Sequence, residues 1–119
     1  MGFYVGRIIE KKIKQKFGEK KINVGIFGLT FKENTNDIRD SKVFDIIKVL
    51  NKKKFKIYAH DPNLRKEDIP KNLNLKLNQN FKKLDTLVLA VPHKKFLKFN
   101  FSKVRKILNK NGLIFDIRG

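Results

Sequence analysis

At 119 residues the chain has room for one compact domain, and 40% hydrophobic residues with eleven Phe can build its core. The absence of Cys excludes disulfides, thiolate metal sites and a cysteine nucleophile and points to a cytosolic setting, while no apolar run is long enough for a membrane span or a signal-peptide core. A formal net charge of +18 would suit an anionic partner, but the lysines are scattered through predicted helices and loops, which describes a solvated surface holding a local anion site.

Residues 3–17 place Val5, Ile9, Ile13 and Phe17 four apart with Ile8 beside them, the single apolar stripe of an amphipathic helix. The helix starts without a capping residue, as a cut helix would, so its stripe is expected to be partly exposed and prone to self-association. Gly18 ends it, and Glu19-Lys20-Lys21 form a short link. Residues 22–29 are a compact run rich in β-branched and aromatic side chains, a buried strand. A polar, turn-prone stretch follows from Lys32 to Arg39, and Ser41 is placed to cap a helix through Lys53 whose Val43, Ile46, Ile47 and Leu50 share a face.

The second predicted strand is Phe55–His60, stopped by Asp61-Pro62; a short third strand is expected over Leu73–Leu77. Thr86–Val91 reads as a buried strand stopped by Pro92, a helix is expected over Phe101–Leu108, Asn111-Gly112 makes a turn, and Leu113–Ile117 is the last strand. Strands alternating with helices at this spacing imply βαβ units and a parallel sheet. Right-handed crossovers then give an α/β, Rossmann-like doubly wound layer of about five strands in order 3-2-1-4-5. Ligands of such sheets bind beyond the carboxyl ends of the strands, an edge that would carry Thr30-Phe31-Lys32, Pro92-His93 and Arg118.

Dinucleotide binding is the obvious expectation for this fold, but the first strand lacks the G-x-G-x-x-G turn that lets a backbone approach pyrophosphate. Only Gly25-Ile26-Phe27-Gly28 is present, followed by a long polar loop. Asp61, where a ribose-binding acid would sit, is therefore read as a structural turn acid, and His60 as structural.

The segment Gly28-Leu29-Thr30-Phe31-Lys32-Glu33-Asn34-Thr35-Asn36-Asp37-Ile38-Arg39-Asp40-Ser41 resembles the G-x-x-F-K-x-x-x-x-D-x-R-x-S signature of the UDP-glucose/GDP-mannose dehydrogenase family, where it opens the C-terminal domain. The resemblance continues with His60-Asp61-Pro62 and with Asp116-Ile117-Arg118, where the family reads D-x-R. It covers nearly the whole chain. Residues 1–20 resemble the end of the central dimerisation helix and its link, and 21–119 the UDP-sugar-binding, Rossmann-like C-terminal domain. Val91-Pro92-His93-Lys94-Lys95-Phe96 is more similar to members acting on UDP-N-acetylhexosamines.

The resemblance implies roles for particular residues. Phe31 shapes the UDP-sugar pocket and Lys32 donates to substrate oxygens. Arg118 matches an arginine that reaches the UDP-sugar of the neighbouring subunit, and Arg39 one that faces NAD across the interdomain cleft. Lys and Arg at strand ends suit these tasks because they make charge-assisted hydrogen bonds to phosphate, Arg bidentately. Asp37 and Ser41 would brace the loop and cap the helix.

The family oxidises the sugar C6 alcohol twice, with NAD bound to an N-terminal domain and a cysteine that forms a thioester. Neither that domain nor a Cys is present here. The expectation is thus a nucleotide-sugar dehydrogenase domain that is inactive alone and partners the N-terminal and central domains of a cytoplasmic homodimer. Neither nucleic acid nor a membrane is expected as a partner. The rival readings are a small basic nucleic-acid-binding protein, which would need exposed aromatics interleaved with basic residues on one face, and a regulatory or interaction module derived from the dehydrogenase fold.

Overall fold

The computed structural model describes residues 2–18, 20–28, 42–52, 55–61, 64–71, 73–77, 83–90 and 106–117. Its first element, α1 (Gly2–Phe17), follows from the four-residue apolar spacing. Gly18 closes it at φ 69°, its N–H donating to the Lys14 carbonyl at 2.9 Å. Next come β1 (Asn23–Phe27), α2 (Lys42–Asn51), β2 (Lys56–His60), a 3-10 turn (Lys66–Asp68), β3 (Lys76–Leu77), β4 (Leu84–Leu89) and β5 (Leu108–Asp116). The strands form one sheet in the order β3-β2-β1-β4-β5, every pair parallel, as the alternation of strands and helices predicts.

β1 is central and buried on both faces, which is why it reads as a continuous apolar run rather than an alternating one. Ile26 stands in register with Ala59 of β2 and Val88 of β4. All three belong to the main core, with Ile9 and Ile13 of α1 and Val43, Ile46, Ile47 and Leu50 of α2. A smaller core holds Phe27, Leu84 and Leu87, with Tyr58, Leu89, Ile107 and Leu108 packed against it. Gly25 makes room there, since an added Cβ would lie 2.4 Å from Leu84 Cδ1.

The apolar stripe of α1 is not orphaned, contrary to the expectation for a cut helix. Ile9 and Ile13 are 1% and 0% exposed, and Val5 and Phe17 pack against the same core. The helix lies on α2 because Gly6 permits close approach; a Cβ at that position would be 3.1 Å from Val49 Cβ and 3.2 Å from Ile46 Cα. Burial of this stripe is thus satisfied within the chain, and the exposed apolar residues of α1 are Phe3, Tyr4 and Ile8 instead.

Several element bounds differ from expectation for identifiable reasons. β1 stops at Phe27 and not at Leu29, because Gly28 takes φ 90°. The helical span of α2 ends at Asn51 and not at Lys53; the Asn51 side chain donates to the Ile47 carbonyl at 3.0 Å and accepts from the Asn74 N–H at 2.8 Å. That last bond also holds the start of β3 back to Lys76 from the expected Leu73, since the Asn74 N–H is spent on a helix end and not on the β2 ladder. β4 begins at Leu84, ahead of the expected Thr86, because the Asp85 carboxylate accepts the Asn23 N–H at 2.9 Å and draws the strand start to β1.

Asn111-Gly112 does not separate a helix from a strand. Leu84 pairs with Leu108 and Thr86 with Leu113, so residues 109–112 bulge within β5. Of the helix expected over Phe101–Leu108, Lys106 and Ile107 are helical, Leu108 already belongs to β5, and residues 101–105 lie outside the described residues.

Candidate functional site

The winding of the sheet reverses between β1 and β4: the chain moves outward through β2 and β3, returns to β4 and moves outward again to β5. Such a switch point is where open parallel sheets bind ligands, because loops leaving adjacent carboxyl ends diverge and open a crevice. Here the carboxyl ends of the strands are tied to one another by main-chain hydrogen bonds. Gly28 N–H donates to the His60 carbonyl at 2.9 Å, Ala90 N–H to the Phe27 carbonyl at 3.0 Å, and Ile117 N–H to the Leu89 carbonyl at 3.0 Å.

These bonds tie the first residue past β1, β4 and β5 to the last carbonyl of a neighbouring strand, which places Gly28, Ala90 and Ile117 on one edge of the sheet. Gly28 opens the segment that contains Phe31, Lys32, Asp37, Arg39 and Ser41. Ala90 precedes Pro92 and His93, and Ile117 precedes Arg118. Phe31, Lys32, Arg39 and Arg118, like Asp37, Ser41, Pro92 and His93, lie outside the described residues.

The residues beneath this edge are structural. The Phe27 ring meets His60 edge-on, with centroids 6.2 Å apart and planes at 70°. Asp61 is fully buried, and its carbonyl accepts the Leu64 N–H at 3.2 Å. Both fit the reading of His60 and Asp61 as structural, and a buried acid is badly placed for a ribose hydroxyl. Gly25 faces Leu84, not an open crevice, so the glycine serves side-chain packing and not the approach of a pyrophosphate. The described residues therefore do not fit a primary NAD site. Among them no cluster of three His, Cys, Asp or Glu could hold a metal ion, and no helix is long and apolar enough to cross a membrane.

Away from the switch point, a groove of about 560 Å³ opens at the β3 edge, lined by Lys66, Lys71 and Lys76 with Ile69, Pro70 and Leu75. Lys76 lies over the Tyr58 ring, 5.8 Å from its centroid. A lysine on a two-residue edge strand serves to discourage pairing with another sheet. What sequence reading missed is polar: Asn23, Asp85 and Asn109 form a network at the opposite, amino-terminal edge of the sheet. No local sequence signal points to it, because its members lie 62 and 24 positions apart.

Comparison with known proteins adds a family to this geometry. Residues 25–119 match the UDP binding domain of the UDP-glucose/GDP-mannose dehydrogenase family. The chain is 30% identical to Protein CapL of Staphylococcus aureus over 98% of its own length and 28% of that protein. It is 28% identical to the UDP-N-acetyl-D-glucosamine 6-dehydrogenase of Salmonella typhi over 99% of its length and 28% of the relative. A UDP-glucose dehydrogenase from the hyperthermophilic archaeon Pyrobaculum islandicum shares the fold with a TM-score of 0.71 at 18% identity, across 98% of this chain and 26% of that one. The chain thus spans about a quarter of the length of the proteins it matches.

Proposed function

The chain belongs to the UDP-glucose/GDP-mannose dehydrogenase family as its UDP-binding domain, and we propose that it supplies the UDP-sugar site of an NAD-dependent UDP-sugar 6-dehydrogenase. The parent enzyme would be a cytoplasmic homodimer of polysaccharide biosynthesis, oxidising a UDP-hexose or UDP-N-acetylhexosamine to the uronic acid. The observation that carries this reading is the adjacency of Gly28, Ala90 and Ile117 at the switch point, because the signature after Gly28 and the Arg118 after Ile117 both start from that edge.

In this reading Lys32 donates to substrate oxygens, Phe31 walls the pocket, and Arg118 grips the UDP-sugar held by the neighbouring subunit. Each charge-assisted hydrogen bond contributes roughly 1.5–3 kcal/mol. One or two such contacts amount to about −4 kcal/mol, so the chain alone is expected to bind UDP weakly, in the high micromolar to millimolar range. NAD supplies the hydride acceptor when bound to another domain of the parent. Arg39 is the residue of this chain that would face it across the cleft. Residues 1–20 would be the end of the central dimerisation helix, followed by the UDP-sugar domain over 21–119. The sugar is most consistent with a UDP-N-acetylhexosamine, from the resemblance of residues 91–96 and the name of the Salmonella typhi relative. A nucleic-acid-binding role is not favoured, since among the described residues Phe17, Phe27, Phe44, Phe55 and Phe115 pack against the cores.

UDP titration of matched variants tests the site. Lys32→Ala is expected to weaken UDP binding roughly tenfold, a loss of about 1.4 kcal/mol, whereas Lys82→Ala removes the same charge elsewhere and leaves binding nearly unchanged. Equal weakening by both, or competition by inorganic pyrophosphate as effective as that by UDP, would mean that the +18 charge alone attracts the ligand.

A further inference from the structure

Asn111-Gly112 is the single Asn-Gly pair of the chain, and it lies in the β5 bulge. With Leu84 paired to Leu108 and Thr86 to Leu113, residues 109–112 are out of register with β4. The two asparagines of the bulge are held very differently. Asn109 Nδ2 donates to Asp85 Oδ1 at 2.8 Å and to the Lys83 carbonyl at 3.2 Å. Asn111 is exposed, and among the described residues no hydrogen bond holds its side chain.

We propose that Asn111 is a site of spontaneous deamidation, with solvent water as the co-reactant. The Gly112 main-chain nitrogen, having lost its proton to solvent, attacks Asn111 Cγ. The new N–Cγ bond closes a five-membered succinimide as the Cγ–Nδ2 bond breaks, and Nδ2 takes up a proton and leaves as ammonia. Water then opens the ring. Cleavage of the N–Cγ bond gives aspartate, and cleavage of the bond to the Asn111 main-chain carbonyl carbon gives isoaspartate. Net, one amide and one water become one carboxylate and one ammonium, with no change of oxidation state.

Two features favour this position over every other asparagine, and a third, shared by the whole chain, assists the reaction. Gly112 has no Cβ to obstruct the ring closure. The bulge frees its backbone from the regular ladder that would hold Asn111 extended. The strong positive field of the chain stabilises the anionic nitrogen that attacks. Either product sets a carboxylate beside Lys110, and isoaspartate also lengthens the main chain of β5, the strand that leads to Arg118.

The test is to incubate the folded chain at mildly alkaline pH and follow the peptide spanning residues 108–117 by mass spectrometry, with methyltransferase labelling to reveal isoaspartate. Asn111 is expected to convert before any other asparagine while Asn109 stays intact, and Asn111→Gln should abolish the signal by disfavouring ring closure. Gly112→Ala should slow conversion by roughly an order of magnitude; if it fails to fold, because its Cβ would lie 2.4 Å from Leu108 Cγ, the Asn111→Gln variant still decides. Conversion of Asn111 in the urea-unfolded chain but not in the folded one, or faster conversion of another asparagine in the folded chain, would overturn the proposal.

Discussion

The Asp85 carboxylate accepts a 2.8 Å hydrogen bond from the Asn109 side-chain amide while its other oxygen accepts the Asn23 main-chain N–H at 2.9 Å. One half-buried acid therefore joins the starts of β1 and β4 to the bulge of β5. Asn23 and Asn109 also both donate to the Lys83 carbonyl, at 3.3 and 3.2 Å, and Lys83 is held at φ 55°, unusual for a residue with a side chain. Asp85→Ala is expected to destabilise the fold by about 1–3 kcal/mol, since it strands the donors it now satisfies. Asn109→Ala should cost about 1 kcal/mol. Urea unfolding of the two single variants and the double variant should show less than additive loss, because both remove the same bond.

Thr86 poses the opposite case. It is fully buried beside Val24 and Leu113, and among the described residues its hydroxyl has no hydrogen-bond partner. Desolvating that hydroxyl without a partner carries a penalty of about 1–3 kcal/mol. Thr86→Val, which keeps the shape and removes the penalty, is expected to raise stability by about 1 kcal/mol. Thr86→Ser keeps the hydroxyl and loses the methyl, so it should lower stability; thermal melts of both separate the two effects.

The packing of α1 gives a contrast between two positions of one helix. Ile13 is completely buried against α2 and the sheet, whereas Tyr4 is 69% exposed. Ile13→Ala is expected to cost about 2–5 kcal/mol, and Tyr4→Ala to change stability by no more than about 0.5 kcal/mol. A single unfolding transition shifted by Ile13→Ala would show that α1 melts with the sheet. Two transitions, with only the first shifted, would show that it does not.

The chain lacks cysteine, and its described residues do not fit a primary NAD site. The 119-residue chain alone is therefore expected to leave NAD unreduced with any UDP-sugar, measured as absorbance of the reduced nicotinamide. Turnover above background in a sample free of full-length enzyme would contradict the proposed division of labour between this domain and the rest of its parent.

Much of this protein could be read from local patterns. The strand order and the parallel sense of the sheet follow from the alternation of strands with helices and the right-handedness of their crossovers, and the buried faces of α1 and α2 from an apolar spacing of three to four residues. The family signature was equally legible, because Gly28, Phe31, Lys32, Arg39 and Arg118 sit at defined spacings around strand ends. Other features depended on partners distant in sequence. The early start of β4 rests on an Asp85–Asn23 bond spanning 62 positions, and the β5 bulge is anchored by an Asp85–Asn109 bond spanning 24. The α1 stripe showed only that something apolar must cover it; Gly6 against Val49 and Ile46 decided that α2 of the same chain does. A side-chain pattern specifies which face is to be buried. The choice of what buries it is made by long-range packing, where chain connectivity and close steric fit select one partner among several apolar surfaces.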